Sequence, residues 1–224
     1  LNPFLVVASA GTTDVGIIDP LEEIADVAKA NNLWFHVDAA YGGAFLMADL
    51  EHEDGTTVRE QFKGIEAADS VTLDPHKGFF VPYGLGAILV KDIATLYHSN
   101  SFKANYLQDA ESDAEPTPND LSPELSKHFR GLRLWLPLQL VGETPFRAAL
   151  SEKILLTRYF YEEVQKLGFE VGPYPELSIA TYRFVPPIGN TDAYNKELVK
   201  KIWANGRFFV SSTTIDGVYW IRLC

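Results

Sequence analysis

This 224-residue sequence is poor in cysteine and basic residues and contains no long apolar run. Its one cysteine, Cys224, excludes an internal disulfide and is typical of a reducing compartment. No apolar run approaches the roughly 18 residues of a membrane-spanning helix, and the N-terminus has no signal-peptide pattern. The net charge of −11 at pH 7 argues against binding nucleic acid or an anionic membrane through bulk electrostatics. We therefore expect a soluble, cytoplasmic protein.

The composition is that of a globular protein, since 46% hydrophobic residues are enough for a sizeable core. The length suits one large domain or one and a half. The sequence begins in a strand-like run at residues 4–10 and stops in another at residues 218–224. Because a natural domain rarely opens and closes within a strand, we expect a fragment of a longer protein.

The order of apolar runs and helix signals predicts an α/β fold with a smaller α+β part after it. Strands are expected at 4–10 (buried on both faces), 33–37, 70–73, 86–91, 169–171, 180–185, 208–213 and 218–224, and helices at 21–31, 125–141, 144–167 and 191–205. The first units read as β-α-β with a parallel crossover, so we expect a mostly parallel sheet with helices on both faces. We place this part at residues 1–140 and the small α+β part at 141–224. Residues 108–127 are polar, with two prolines within 108–120, which predicts a mobile loop.

Polar residues at the ends of two predicted strands are the candidates for chemistry, because loops at strand ends carry polar groups on a rigid support. Asp38 ends the strand that contains His36, with which it shares a face. Lys77 follows the strand at 70–73. Taken singly, Lys77 is more simply a solvated loop lysine, and Asp38 is also compatible with a helix cap or an Asx turn.

Taken in order, however, the motifs resemble the pyridoxal-phosphate-dependent group II amino acid decarboxylases of the aromatic-L-amino-acid decarboxylase type. The resemblance is carried by HVDAAY at 36–41 and PHK at 75–77, with support from GTT at 11–13, NYL at 105–107 and FRGLRLW at 129–135. It implies a fold type I enzyme in which residues 1–140 are the C-terminal part of the large cofactor domain. It also implies a homodimer with its sites at the interface, and a ring-stacking histidine and a phosphate loop that would precede residue 1.

The resemblance assigns a role to each matching residue. Lys77 would hold pyridoxal 5'-phosphate as a Schiff base, and Asp38 would keep the ring nitrogen of the cofactor protonated. Ala40 would lie against one ring face, with Thr13 beside the cofactor and His76 near its phosphate. A supporting hydrogen-bond role is implied for His36.

Two further positions bear on the chemistry. Asp74 stands where many relatives have Asn, and a carboxylate repels a phosphate; either Asp74 turns away and orients His76, or the phosphate is held differently. Tyr106 lies 29 residues after Lys77, where family decarboxylases keep a tyrosine that protonates the carbon left by CO₂. Related aldehyde synthases carry phenylalanine there, which has no proton to give, so Tyr106 favours decarboxylation.

The leading hypothesis is therefore decarboxylation of an L-amino acid, aromatic or similar, to the amine and CO₂. The aromatic residues Phe79, Phe80 and Tyr83 suit an apolar side-chain pocket or the core. An aldehyde synthase or lyase on the same scaffold and a non-catalytic pseudoenzyme remain alternatives. A metal-dependent hydrolase using His36, Asp38 and His76 would leave Lys77 and Tyr106 unexplained.

Overall fold

The computed structural model describes residues 2–52, 54–101 and 116–224. The strands are β1 Leu5–Ser9, β2 Trp34–Asp38, β3 Ser70–Leu73, β4 Ala87–Val90, β5 Glu170–Val171, β6 Ala180–Arg183, β7 Ser211–Ile215 and β8 Val218–Leu223. The α-helices are α1 Leu21–Ala30, α2 Pro75–Gly78, α3 Ile93–Asn100, α4 Leu132–Val141, α5 Thr144–Lys166 and α6 Thr191–Asn205. Three 3₁₀ helices span Gly42–Met47, Val58–Phe62 and Ile65–Ala67.

The first sheet has the strand order β1-β2-β3-β4. β1, β2 and β3 are parallel, with Ser9 opposite Asp38 and Asp38 opposite Thr72, whereas β4 returns antiparallel to β3. α1 makes the crossover between β1 and β2, as the alternation of apolar runs predicts. The predicted α/β class is therefore confirmed, with one antiparallel strand at the edge of the sheet.

One face of this sheet is packed and the other is partly open. On β2, Phe35 and Val37 are buried, while Asp38 on the opposite face is exposed. The prediction that residues 4–10 are buried on both faces is wrong, since the side chain of Val7 is 53% exposed. Ala8 points into the core, but no described element covers Val7, so β1 is buried on one face.

The C-terminal part forms a second, antiparallel sheet in the order β5-β6-β8-β7. α5 reaches both hydrophobic cores: Leu150 and Ile154 pack into the core of the first sheet, and Val164 packs into that of the second. The two parts thus share one long helix. The boundary that we place after residue 140 stays a prediction.

Several elements differ from the sequence prediction. α4 begins at Leu132 and not at residue 125, with Gly131 at its N-cap position. β7 lies at Ser211–Ile215 rather than 208–213, because Phe209 is exposed and stacks on Trp203 of α6. Helices α2 and α3 are additional to the prediction. Within the described ranges, no helix is both long and apolar enough to cross a membrane.

Gly78 allows a close approach that should be sensitive to one added methyl group. A Cβ at this position would lie 2.2 Å from Cβ of Ala44, in the 3₁₀ helix that α2 packs against. We expect Gly78→Ala to lower the free energy of unfolding by about 1–3 kcal/mol, as overpacking does, in a urea titration of the complete protein. Adding Ala44→Gly should restore part of the loss.

Gly131→Ala is the matched control, because a Cβ there would meet nothing within 4 Å. We expect its unfolding free energy to stay within about 0.5 kcal/mol of the parent. If the two substitutions lower the free energy of unfolding equally, the contact between position 78 and Ala44 is not the cause of the loss.

Candidate active site

The carboxyl ends of three parallel strands bring most of the predicted site residues to one edge of the first sheet. β1 leads into the loop at 11–13, β2 ends at Asp38, and β3 leads through Asp74 into α2. Parallel pairing is what places these three strand exits side by side.

Asp38 is held by its backbone and keeps its carboxylate at the surface. Its carbonyl oxygen accepts a hydrogen bond from the backbone N–H of Ala10 (2.8 Å), and its Oδ1 accepts one from the N–H of Ala40 (3.1 Å). The second contact is the Asx-type turn that the sequence leaves open. This turn fixes the direction of the carboxylate and leaves the exposed side chain open to a ligand.

Lys77 lies in the short helix α2 and faces a carboxylate. Pro75 occupies the first turn of this helix, where its fixed φ favours helix initiation. Asp74 precedes it, with its backbone N–H bonded to the carbonyl oxygen of Ala40 (3.1 Å), and its Oδ2 lies 2.9 Å from Nζ of Lys77. The structure thus pairs Asp74 with Lys77.

His76 is oriented by a different group. Its Nδ1 donates to the carbonyl oxygen of Leu85 (2.6 Å), and its ring meets that of Tyr83 edge-on at 4.5 Å between centroids. Since a carbonyl can only accept, Nδ1 carries the proton and Nε2 is the nitrogen left for a ligand. No described residue hydrogen-bonds to Nε2.

His36 is enclosed by hydroxyl groups. Nδ1 lies 2.8 Å from Oγ of Ser70, and Nε2 lies 3.2 Å from Oγ1 of Thr72, the residue opposite Asp38 in the sheet. Ser70 also accepts a hydrogen bond from Nε1 of Trp34 (2.8 Å). His36 is thus partly exposed beside the strand end with both ring nitrogens engaged, which fits a supporting role.

The loop that contains Thr13 is held by residues distant in the sequence, which the sequence analysis does not predict. Thr13 is exposed, and its carbonyl oxygen accepts a hydrogen bond from Nε of Arg222 in β8 (2.9 Å). Tyr41, which follows Ala40, contacts the hydroxyl group of Ser178 (2.8 Å). These contacts join segments 137 to 209 residues apart, so no local sequence pattern could have revealed them.

Tyr106 and residues 108–115 of the predicted mobile loop lie outside the described residues.

Among the residues that are described, no group of three or more His, Cys, Asp or Glu is placed to hold a metal ion. Both ring nitrogens of His36 are already engaged with hydroxyl groups.

Comparison with known proteins identifies the family. Residues 1–184 match the pyridoxal-dependent decarboxylase conserved domain. The chain belongs to the pyridoxal-dependent decarboxylase family. It is 35% identical to the aromatic-L-amino-acid decarboxylase of Bacillus atrophaeus, over 100% of this chain and 46% of the relative. It is 32% identical to the L-2,4-diaminobutyrate decarboxylase of Acinetobacter baumannii, over 97% of this chain and 42% of the relative.

A solved structure has the same fold as this chain. Oryza sativa TDC, crystallised with PLP and tryptamine, superposes with a TM-score of 0.90 at 26% identity, over 100% of this chain and 46% of that one. The likeness confirms the fold type I architecture. The chain spans about half the length of the relatives that it matches.

The residues at the sheet edge suit the family's cofactor, pyridoxal phosphate. Asp38 supplies an exposed carboxylate, and Lys77 supplies a partly exposed amine. Ala40 carries only a methyl group two residues after Asp38, and His76 presents Nε2. This donor set matches a group that combines a basic ring nitrogen, an aldehyde and a phosphate.

The pair of Asp74 and Lys77 leads to a prediction about cofactor loading. Nζ of Lys77 lies 2.9 Å from Oδ2 of Asp74, so Lys77 would have to leave this carboxylate to attack an aldehyde, and the carboxylate would also repel the phosphate of the cofactor. A partly exposed ion pair is worth about 0.5–1 kcal/mol. We therefore expect Asp74→Asn to take up pyridoxal phosphate roughly two- to fivefold faster, as measured by the growth of visible absorbance in the cofactor-free protein.

Asp38→Asn is the comparison, because the same charge is removed on the other side of the site. We expect it to weaken cofactor binding instead, since an amide cannot stabilise a protonated ring nitrogen. Slower loading in the Asp74 variant would mean that this carboxylate assists attachment rather than opposing it.

Proposed function

We propose that this chain is part of a decarboxylase that converts an L-amino acid, aromatic or similar in kind, to the corresponding amine and CO₂. The observation that carries the proposal is the placement of an exposed Asp38 and an exposed Lys77 after neighbouring parallel strands, in a chain of the pyridoxal-dependent decarboxylase family. When bound, pyridoxal phosphate supplies an electron sink for the bond that breaks at the α-carbon.

The residues of the chain divide the remaining tasks. Lys77 anchors the cofactor covalently, and the carboxylate of Asp38 keeps a proton on the ring nitrogen. Ala40 leaves space for the ring. Thr13 and His76 would help to hold the cofactor, and Tyr106 would supply the proton that the substrate carbon takes up in place of CO₂.

The proposed substrate class is supported by the aromatic-L-amino-acid decarboxylase relative and by the aromatic side chains after Lys77. Phe80 is 55% exposed and Tyr83 is 85% exposed, so both are free to meet a ligand. Phe79 is buried and packs edge-on against Phe146, so it belongs to the core. The diaminobutyrate decarboxylase relative makes a basic amino acid the substrate to test beside the aromatic ones.

A homodimer is the second part of the proposal. α4 is strongly apolar, yet none of its residues is buried; Trp135, Leu136 and Leu140 are all about half exposed or more. Exposed apolar surface of this size marks a place where another polypeptide surface packs. A second copy on this helix would place further residues near the sheet edge. The cytoplasmic location stays a prediction.

The first prediction concerns the anchor. With pyridoxal phosphate added, the complete protein should show a visible absorption band that borohydride fixes onto a peptide containing Lys77. Lys77→Ala should lose the band, whereas Lys91→Ala, which removes an exposed lysine at the end of β4, should keep it. Fixation onto another lysine would reject the assignment, and a wild-type protein without a band would favour the pseudoenzyme.

The second prediction concerns the reaction type. The complete protein should release CO₂ from at least one member of a panel of aromatic and basic L-amino acids, with one amine formed per CO₂. Tyr106→Phe should reduce amine formation on the order of 100-fold, as expected for loss of a positioned proton donor. Peroxide and ammonia from the wild-type protein would instead identify an aldehyde synthase.

A further inference from the structure

The C-terminal sheet holds two loops of the candidate site in place. We propose that Arg222 and Tyr41 are positioning residues, which fix the loop of Thr13 and the turn of Ala40 and thereby set how tightly the cofactor binds. The effect on cofactor affinity rests on the proposed function, whereas the effect on the loop does not.

Arg222 joins β8 to the site loop. Its Nε donates to the carbonyl oxygen of Thr13 (2.9 Å), and its Nη1 donates to Oγ of Ser211 (3.3 Å), which lies opposite it in β7. The guanidinium is thus held at one end by its own sheet and reaches the loop with the other. Thr213 adds a second link, since its hydroxyl group donates to the carboxylate of Asp14.

Arg222 and Arg183 lie in neighbouring strands but contact different kinds of group. Arg183 forms an ion pair with Glu170 across the strands of its own sheet, at 2.7 Å between Nε and Oε2. Arg222 forms no ion pair within the described part of the chain, and its strongest contact is the backbone carbonyl of Thr13. A charged donor on a neutral carbonyl of a distant loop restrains that loop rather than neutralising a charge.

Tyr41 holds the neighbouring turn from the other side. Its hydroxyl oxygen accepts a hydrogen bond from the backbone N–H of Ser178 (3.0 Å) and lies 2.8 Å from the Ser178 hydroxyl group. Ser178 is buried, and it lies just before β6. Burial raises the pKa of the Tyr41 phenol above its ordinary value, so the group stays neutral.

The ring of Tyr41 also touches the Thr13 loop. A Cβ at Gly11 would lie 2.9 Å from Cδ1 of Tyr41, so the ring packs directly on the glycine backbone. Gly11 has φ of +100°, a conformation that side chains rarely adopt. Tyr41 therefore connects the turn after Asp38, the loop before Thr13 and the C-terminal sheet at one point.

These contacts imply that the position of Thr13 and Ala40 depends on the attachment of the C-terminal sheet. The loop's own bonds are short-range: the N–H of Gly16 donates to Thr12 (2.8 Å), and that of Thr12 donates to Ile17 (2.9 Å). They shape the loop, and one further bond, from the N–H of Ile18 to Oε2 of Glu176 (2.9 Å), joins its far end to the segment before β6. Small displacements of positioning groups are enough to weaken a preorganised site.

The test compares Arg222→Met, Arg222→Lys and Tyr41→Phe with the control Arg183→Met in the complete protein. We expect Arg222→Met, which has no donor, and Tyr41→Phe to weaken equilibrium binding of pyridoxal phosphate by roughly five- to tenfold, the value of one net hydrogen bond. Arg222→Lys, which keeps a charged donor group, should lie between. Arg183→Met should bind as the wild type does. The visible circular dichroism of the bound cofactor should change only in the Arg222 and Tyr41 variants.

Hydrogen exchange of the cofactor-free protein separates this inference from the proposed function. The amides of Thr12 and Gly16 should exchange faster in the Arg222 and Tyr41 variants, and at the wild-type rate in Arg183→Met. Thr213→Val offers a milder substitution if an Arg222 variant fails to fold. Wild-type exchange in the loop of every folded variant, or equal loss of affinity in the Arg183 control, would overturn the inference. A wild-type protein that binds no cofactor would reject the proposed function alone.

Discussion

The parallel pairing of β1, β2 and β3 is the constraint on which the rest of the structure depends. It places Asp38 opposite Ser9 on one side and Thr72 on the other, so that the loops after all three strands leave from one edge. An antiparallel arrangement would have sent Asp38, at the end of β2, to the opposite end of the sheet from the loop of Thr13 and helix α2. The site residues come from different segments, yet the backbone ladder brings most of them together before any side chain interacts.

Lys77 has a carboxylate partner, Asp74, at this edge of the sheet, and the family cofactor would be its second partner. Nζ of Lys77 lies 2.9 Å from Asp74, with both side chains partly exposed. Such a pair contributes at most about 1 kcal/mol, because water screens it and both side chains lose freedom. A contact this weak orients Lys77 without trapping it. Under the proposed function, pyridoxal phosphate would replace Asp74 as the partner of Lys77 at small cost.

The C-terminal sheet has a part in the site although it carries none of the residues that the family motif assigns. Arg222 and Tyr41 restrain the two loops that flank Asp38, because their hydrogen bonds connect these loops to this sheet and to the segment before it. α5 adds a hydrophobic connection, with Leu150 in one core and Val164 in the other. Polar and apolar contacts thus both hold the two sheets together.

Local sequence patterns determined much about this protein. The apolar runs predicted the parallel unit around α1, the limits of α6 at residues 191 and 205 agree with its structure, and the motifs around Asp38 and Lys77 indicated the family. These features depend on residues close in sequence, where periodicity and order are visible. Only the tertiary structure decided that Asp74 turns to Lys77, that Leu85 orients His76, and that Arg222 holds Thr13. Such contacts follow from how distant segments pack, which no pattern within one segment encodes.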